Sequence, residues 1–127
     1  MQTILVCLFI AVLLPYAAKV PVAVAMAKLG RYDNNHPRAQ QGQLTGFGAR
    51  AVAGHQNAFE SLIVFGVAVL TALVTNNVTD VVALLAIVHV VARVVYHVMY
   101  LLNYGTLRSL SWFVAIGASL GIFCQAF

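Results

Sequence analysis

The sequence predicts an all-α integral membrane protein built as a four-helix up-down-up-down bundle. Three observations carry this: an apolar composition, four apolar stretches each long enough to cross a bilayer, and connections too short for most other arrangements. Hydrophobic residues make up 62% of the 127 positions and charged residues 8%. A soluble domain carries about three times that charged fraction. With so little charge to solvate a surface, most of the exterior must meet an apolar medium. The length allows one domain, residues 1–127. The formal charge of +4 argues neither for nucleic acid nor for an acidic substrate. Cys7 and Cys124 are too few and too far apart for a disulfide framework or a zinc site, and are expected to pack as small hydrophobes.

The first apolar stretch runs from about Thr3 to Ala27, interrupted by Pro15, Lys19 and Pro21, and exceeds the roughly 20 residues a crossing needs. Ala17-Ala18 resembles a leader cleavage region, but no Lys or Arg precedes the apolar core, so the stretch reads as a retained helix. Residues 28–48 are rich in Gly, Asn, Gln and charge and form the one sizeable loop. The second helix is expected over about 49–74, ending at Thr75-Asn76-Asn77. The third is expected over about 80–103 with Asp80 in its N-cap region, and the fourth over about 107–127 after a break at Gly105-Thr106. Such short connections make sequence neighbours spatial neighbours.

Lys28, Arg31 and Arg38 lie in or beside the first loop and Arg108 beside the third, whereas the second loop has no Lys or Arg. By the positive-inside rule the first and third loops face the cytoplasm. That orientation sets the depth of the polar residues within the helices, which are costly there and need a reason.

On the second helix Arg50, Asn57 and Glu60 are spaced by seven and three, one polar stripe, with His55 and Gln56 between them. On the third helix Arg93, Tyr96, Tyr100 and Tyr104 follow spacings of three, four and four, again one face. Glu60 and Arg93 each lie roughly 15 Å from the cytoplasmic end of their helix at 1.5 Å per residue. In antiparallel neighbours they meet at one level, and an ion pair between them is expected. The pair alone would fix helix register, with the tyrosines as packing. The surplus of Arg50, Asn57, His55 and tyrosine hydroxyls points instead to a cavity for a polar ligand.

RAVAGHQNAFE (Arg50 to Glu60), RVVYHVMY (Arg93 to Tyr100) and LRSLSW (Leu107 to Trp112) together resemble the membrane-associated proteins in eicosanoid and glutathione metabolism, MAPEG, in a bacterial-type form. The resemblance covers the whole chain. It implies a homotrimer, in a bacterial inner membrane, that binds glutathione between adjacent subunits in a pocket open to the cytoplasm. Family members include microsomal glutathione transferases and the leukotriene and prostaglandin E synthases. Carried over by motif, Asn57 and Glu60 hold the amino end and backbone of glutathione. Arg50, Arg93, Tyr96 and Tyr100 bind its carboxylates or complete the polar wall, Arg108 lies over the sulfur, and Ser109 donates a hydrogen bond beside it.

The implied chemistry is sound. A cysteine-type thiol with a pKa of about 8.5 is mostly protonated at neutral pH and reacts as the thiolate, which an arginine that stays charged stabilises. The thiolate then attacks an electrophilic carbon or reduces a hydroperoxide of a lipophilic substrate arriving from the membrane lipid. Without the resemblance, Arg108 reads as a snorkelling, topology-setting residue. A non-catalytic lipid-binding or scaffold member of the same family is the second reading.

Ala53 stands where many relatives carry an arginine, and Gln56 replaces a basic residue seen in some. Lys28 or Arg31 is the expected substitute for the missing charge. No two histidines stand with an acid at a metal-ligand spacing, so His36, His89 and His97 read as polar packing residues, with no metal expected. The segment 31–38, RYDNNHPR, is placed to cover the mouth of the pocket.

Overall fold

The structure, a computed structural model, describes residues 1–125 and 127. Among these the chain forms helices α1 (Gln2–Lys28), α2 (Pro37–Gln41), α3 (Gly46–Val74), α4 (Asp80–Leu101) and α5 (Gly105–Cys124), and no strand. The four long helices are each long and apolar enough to cross a membrane, so this is a multi-pass integral membrane protein. The expected loop over 28–48 contains the short α2, which begins at Pro37, where a missing N–H costs nothing.

Helix ends follow local chemistry more closely than hydropathy does. Asn76 and Asn103 take the left-handed conformation with φ of 58° and 66°. After α3, Asn77 N–H donates to Ala72 O at 2.9 Å and Asn76 N–H to Leu73 O at 3.2 Å. After α4, Tyr104 N–H donates to Met99 O at 2.9 Å and Asn103 N–H to Tyr100 O at 3.1 Å. Both are Schellman closures on asparagine, which tolerates this region better than any residue but glycine. The third spanning helix therefore stops at Leu101 rather than Asn103, and Gly105, expected to break the chain, instead opens α5. The fourth helix ends at Cys124 rather than Phe127; Ala126, within the expected helix, lies outside the described residues. The cap of α4 is Thr79, whose Oγ1 accepts from Val82 N–H at 3.2 Å, and Asp80 is the first-turn acid beside it.

All three consecutive pairs of long helices pack against each other. The α1–α3 and α4–α5 pairs are the most extensive, α3 and α4 occupy the middle, and α1 and α5 do not meet. Two apolar clusters hold the bundle. The larger joins Ile4, Cys7, Phe65, Val69, Val82 and Ile122 at the end bearing the α3–α4 turn; the smaller joins Val22, Met26, Leu44 and Ala51 at the end bearing α2. Alanines fill many of the remaining contacts, the small-residue packing that lets helices approach where lipid gives no hydrophobic drive. Gly48 is such a contact, since a Cβ there would lie 3.0 Å from Leu44 Cβ and 3.1 Å from Ala25 Cβ. Large apolar side chains such as Phe9, Ile63, Leu70 and Phe113 point outward. Cys7 is buried as expected, but Cys124 is exposed near the end of α5 instead of packed.

The segment from Lys28 to Thr45 is ordered by one side chain. Buried Gln40 accepts from Asp33 N–H at 2.9 Å through Oε1 and donates through Nε2 to Arg31 O at 2.6 Å and Met26 O at 3.4 Å. Asp33 in turn accepts from the backbone N–H groups of His36 and Asn35, each at 2.9 Å. The His36 N–H foremost, joined by that of Asn35 and by the nearby imidazole, holds the Asp33 carboxyl below the usual carboxylate range.

Three outcomes are expected. Replacing Asn76 by Ala lowers thermal stability in detergent by about 1 kcal/mol, whereas Asn76→Gly leaves it unchanged or raises it. Gln40→Ala makes the 31–41 segment protease-sensitive while the spanning helices stay folded. Because the Asp33 pKa is lowered on folding, its contribution is fully present above about pH 4, the unfolded carboxylate value, and is lost as pH falls through the lower folded value. Hydrogen-exchange protection of the Asn35 and His36 amides reads this out.

Candidate functional site

Midway along α4, Arg93 is only 2% exposed, which in an apolar bundle demands compensation for its charge. The compensation comes from α3. Arg93 Nη2 donates to Asn57 Oδ1 at 2.9 Å and to the Asn57 carbonyl at 3.2 Å. Asn57 Nδ2 donates to Glu60 Oε2 at 2.8 Å. The guanidinium also sits over the Tyr96 ring, 4.1 Å from its centroid. Glu60 and Arg93 thus share a level, as their sequence depths predict, but they form no direct ion pair. Asn57 lies between them because its shorter side chain, one turn before Glu60, is the one aimed at α4, while Glu60 is exposed. Among the described residues the acid–base side-chain contact within ion-pair distance is His36 Nδ1 with Asp33 Oδ2, at 3.6 Å.

From Arg93 the polar face continues toward the end bearing α2. Tyr96 and Tyr100 meet edge-to-face with ring centroids 5.6 Å apart, and Arg108, in the first turn of α5, lies over Tyr100 at 4.6 Å. Two cations therefore bracket two tyrosines in edge-to-face contact. Asn57, Tyr96, Tyr100, Arg108, Ser109 and Trp112 line a cleft of about 390 Å³ between α3, α4 and α5. Tyr104 does not extend the tyrosine face, because α4 has already ended and Tyr104 caps α5.

Arg50 is not brought into this cleft. It donates through Nη2 to Leu101 O at 3.4 Å and lines a separate, largely apolar cavity of about 200 Å³ between α1, α3 and α4. There Arg50 Nε and His97 Nε2 are buried without a partner, and Tyr100 forms part of the wall. The stripe of Arg50, Asn57 and Glu60 is thus divided between two cavities, since residues seven apart are about 10 Å apart along the axis and meet different neighbours.

On another face of α3, Lys19, Tyr32, Arg38, His55, Gln56 and Phe59 line an open groove of about 460 Å³. His55 is fixed there by donating from Nδ1 to Pro15 O at 2.8 Å. Lys28 and Arg31, the expected substitute cations, are exposed outside this groove. Lys19 and Arg38 are the cations in it. A lysine within an apolar span was a visible signal for this site.

His89, read from the sequence as a polar packing residue, packs as one and is 2% exposed. Its Nδ1 lies 3.0 Å from Ala115 O and 2.9 Å from Ser119 Oγ, and its ring stacks on Phe65 with centroids 4.0 Å apart and planes 6° from parallel. A histidine one turn from a buried arginine inside a spanning helix was the available cue.

The sequence model of the MAPEG family matches residues 3–127, essentially the entire chain. No curated protein and no solved structure matches it. The match extends across all four spanning helices, including those that carry the Arg93–Asn57–Glu60 relay and Arg108, and on that match this chain belongs to the MAPEG family.

Proposed function

We propose that the protein is a glutathione-dependent membrane transferase or peroxidase that conjugates or reduces lipophilic electrophiles. The observation that carries this is that Asn57, the middle of the Arg93–Asn57–Glu60 relay, lines one cleft with Arg108, while Arg93 and Glu60 line the cavity that adjoins it. Glutathione, which MAPEG enzymes use, is an elongated polar molecule with an amine, two carboxylates and a thiol. The donor set fits it: an exposed Glu60 carboxylate for the amine, tyrosine hydroxyls and amide groups along the wall, and arginines at both ends.

Arg108 is the residue assigned to the sulfur. Its charge is permanent, it is half-buried at the start of α5, and Ser109 beside it offers a hydroxyl. The thiol gives its proton to water and the guanidinium holds the thiolate. The sulfur lone pair then forms a bond to an electrophilic carbon, which expels its leaving group as an anion, or to a peroxide oxygen as the O–O bond breaks. In that case the departing alkoxide takes a proton to become the alcohol, and a second glutathione reduces the sulfenic acid to give glutathione disulfide and water. Placing the cation in advance where charge develops is what lowers the barrier.

Binding between subunits is supported by the placement of polar groups on two different faces. A head-to-tail ring sets one face of each subunit against a different face of the next. In a homotrimer of that kind the Lys19 and Arg38 groove of one subunit faces the Arg108 cleft of its neighbour and supplies the positive charge that Ala53 does not. Arg50 then belongs to the wall behind Tyr100. The segments bearing Lys28, Arg31, Arg38 and Arg108 connect the helices at one end of the bundle, which under the positive-inside rule is the cytoplasmic one.

A non-catalytic lipid-binding role is the alternative within the family, and the presence of Arg108 over Tyr100 favours catalysis. Arg108→Ala should lower kcat/KM for a generic electrophile by about 10²–10³, with the oligomer intact and glutathione affinity changed only a few-fold. The sign with pH follows: Arg108 lowers the pKa of the bound thiol, so the wild-type rate levels off below about pH 8.5 while the variant's keeps rising through it. A purified oligomer that binds no glutathione overturns the proposal. Asn57→Leu removes the Oδ1 partner of Arg93 and the Nδ2 link to Glu60, leaving Arg93 only the backbone carbonyl of residue 57, and is expected to lower thermal stability by about 2–4 kcal/mol together with glutathione affinity. Calorimetry and a glutathione titration separate it from the turnover-only effect at Arg108.

A further inference from the structure

His89 is tied down on one nitrogen only. The Ala115 carbonyl can only accept, so Nδ1 carries the ring proton, and the neutral imidazole keeps its lone pair on Nε2. Nε2 makes no hydrogen bond among the described residues, and it is not one of the fully enclosed unpartnered atoms, which are Arg50 Nε and His97 Nε2. It therefore retains accessible surface, and at this depth that surface is the wall of a cavity of about 120 Å³ shared with Asn57, Glu60, Arg93, Trp112 and Ser119. Locking α4 to α5 requires only the Nδ1 side. An acceptor left open inside a membrane span asks for a donor.

The walls define that donor. The cavity also touches Val64, Ile116 and Trp112, of which Val64 and Trp112 are exposed on the apolar exterior, so its mouth is lipophilic and its floor polar. Its volume matches about four water molecules at roughly 30 Å³ each, enough for the polar end of a molecule but not for the whole. Arg93 already spends Nη2 on Asn57, and the Glu60 carboxylate disfavours an incoming anion. The matching group is a neutral O–H. The cavity also adjoins the Arg108 cleft, the two sharing Asn57 and Trp112 as walls.

We infer that this cavity binds the polar end of a lipophilic molecule carrying a hydroxyl, with His89 Nε2 accepting its O–H and the apolar remainder lying past Val64 and Trp112. His89 meets α5 at Ala115 and Ser119, about 10–16 Å along the helix from Arg108, so this hydroxyl is held apart from the sulfur and the site does not rest on the proposed glutathione chemistry.

Trp112 is the single tryptophan of the chain and a wall of the cavity, so its fluorescence reports occupancy without turnover. The detergent-purified oligomer is titrated, without glutathione, with cumyl alcohol and with its hydroxyl-free isostere tert-butylbenzene. Each affinity is referred to the ligand's own measured concentration in the micelle, so the ratio of the two reports the site and not the detergent. The wild type should prefer the alcohol by about tenfold, the scale of one buried hydrogen bond. His89→Asn keeps a donor near the Nδ1 position but loses Nε2, and should reduce the ratio below about twofold; His89→Gln, which reaches as far as Nε2, should restore most of it. A wild-type ratio near one overturns the inference without recourse to any variant, as does a ratio unchanged in His89→Asn. A protein that prefers the alcohol yet binds no glutathione overturns the proposed enzyme and leaves this site standing.

Discussion

A guanidinium with 2% exposure in the middle of a spanning helix is the constraint around which the rest of the polar architecture is arranged. Arg93 cannot shed its charge and cannot reach water from that depth, so α3 must present oxygen to it. Asn57 does so twice, through its side chain and its carbonyl, and hands the negative end of the relay to Glu60. Tyr96 adds the face of its ring. The relay fixes the register of α3 against α4, the less extensively packed of the consecutive pairs, and leaves the Glu60 carboxylate available on the outside instead of consumed in an ion pair. A direct Glu60–Arg93 contact would have tied the two side chains to each other; the intervening amide leaves the Glu60 side chain exposed.

The same helix serves two further surfaces. Toward α1, α3 turns His55 and Gln56 to a groove that also holds Lys19 and Arg38, and near its start it turns Arg50 to an apolar cavity closed by α4. Polar atoms on several sides of one helix are costly in lipid unless neighbours cover them. In the proposed head-to-tail ring, neighbouring subunits cover them while assembling a site neither face holds alone. The two apolar clusters at opposite ends of the bundle frame this polar belt and let it exist without loosening the helices.

Much of this was legible from residue order. Hydropathy located four spans, the asparagine turns marked two of their ends, and spacing placed Glu60 and Arg93 at one depth. The errors have specific causes. α4 ended two residues early because Asn103 adopts a left-handed conformation, a property of the closure and not of hydropathy. Gly105 read as a breaker yet opens α5, since a glycine is as acceptable at a helix start as between helices. Arg50 and Tyr104 fell out of the cleft because a shared helical face does not guarantee a shared neighbour. Cys124 was expected inside and lies outside, near the end of the last helix.

By itself the sequence determined the medium, the number of crossings, and the depth of each charged or aromatic group, because composition and a rise of about 1.5 Å per residue suffice for those. It also determined the family, through a pattern spread over three helices. Only the tertiary structure decided which polar atoms meet: that Asn57 stands between Arg93 and Glu60, that Arg108 reaches Tyr100, and that His89 spends one nitrogen on α5 and opens the other to a cavity. The reason is that helical periodicity fixes a residue's height and direction on its own helix, whereas contact depends on the rotation of the partner helix and the reach of its side chains, which packing sets.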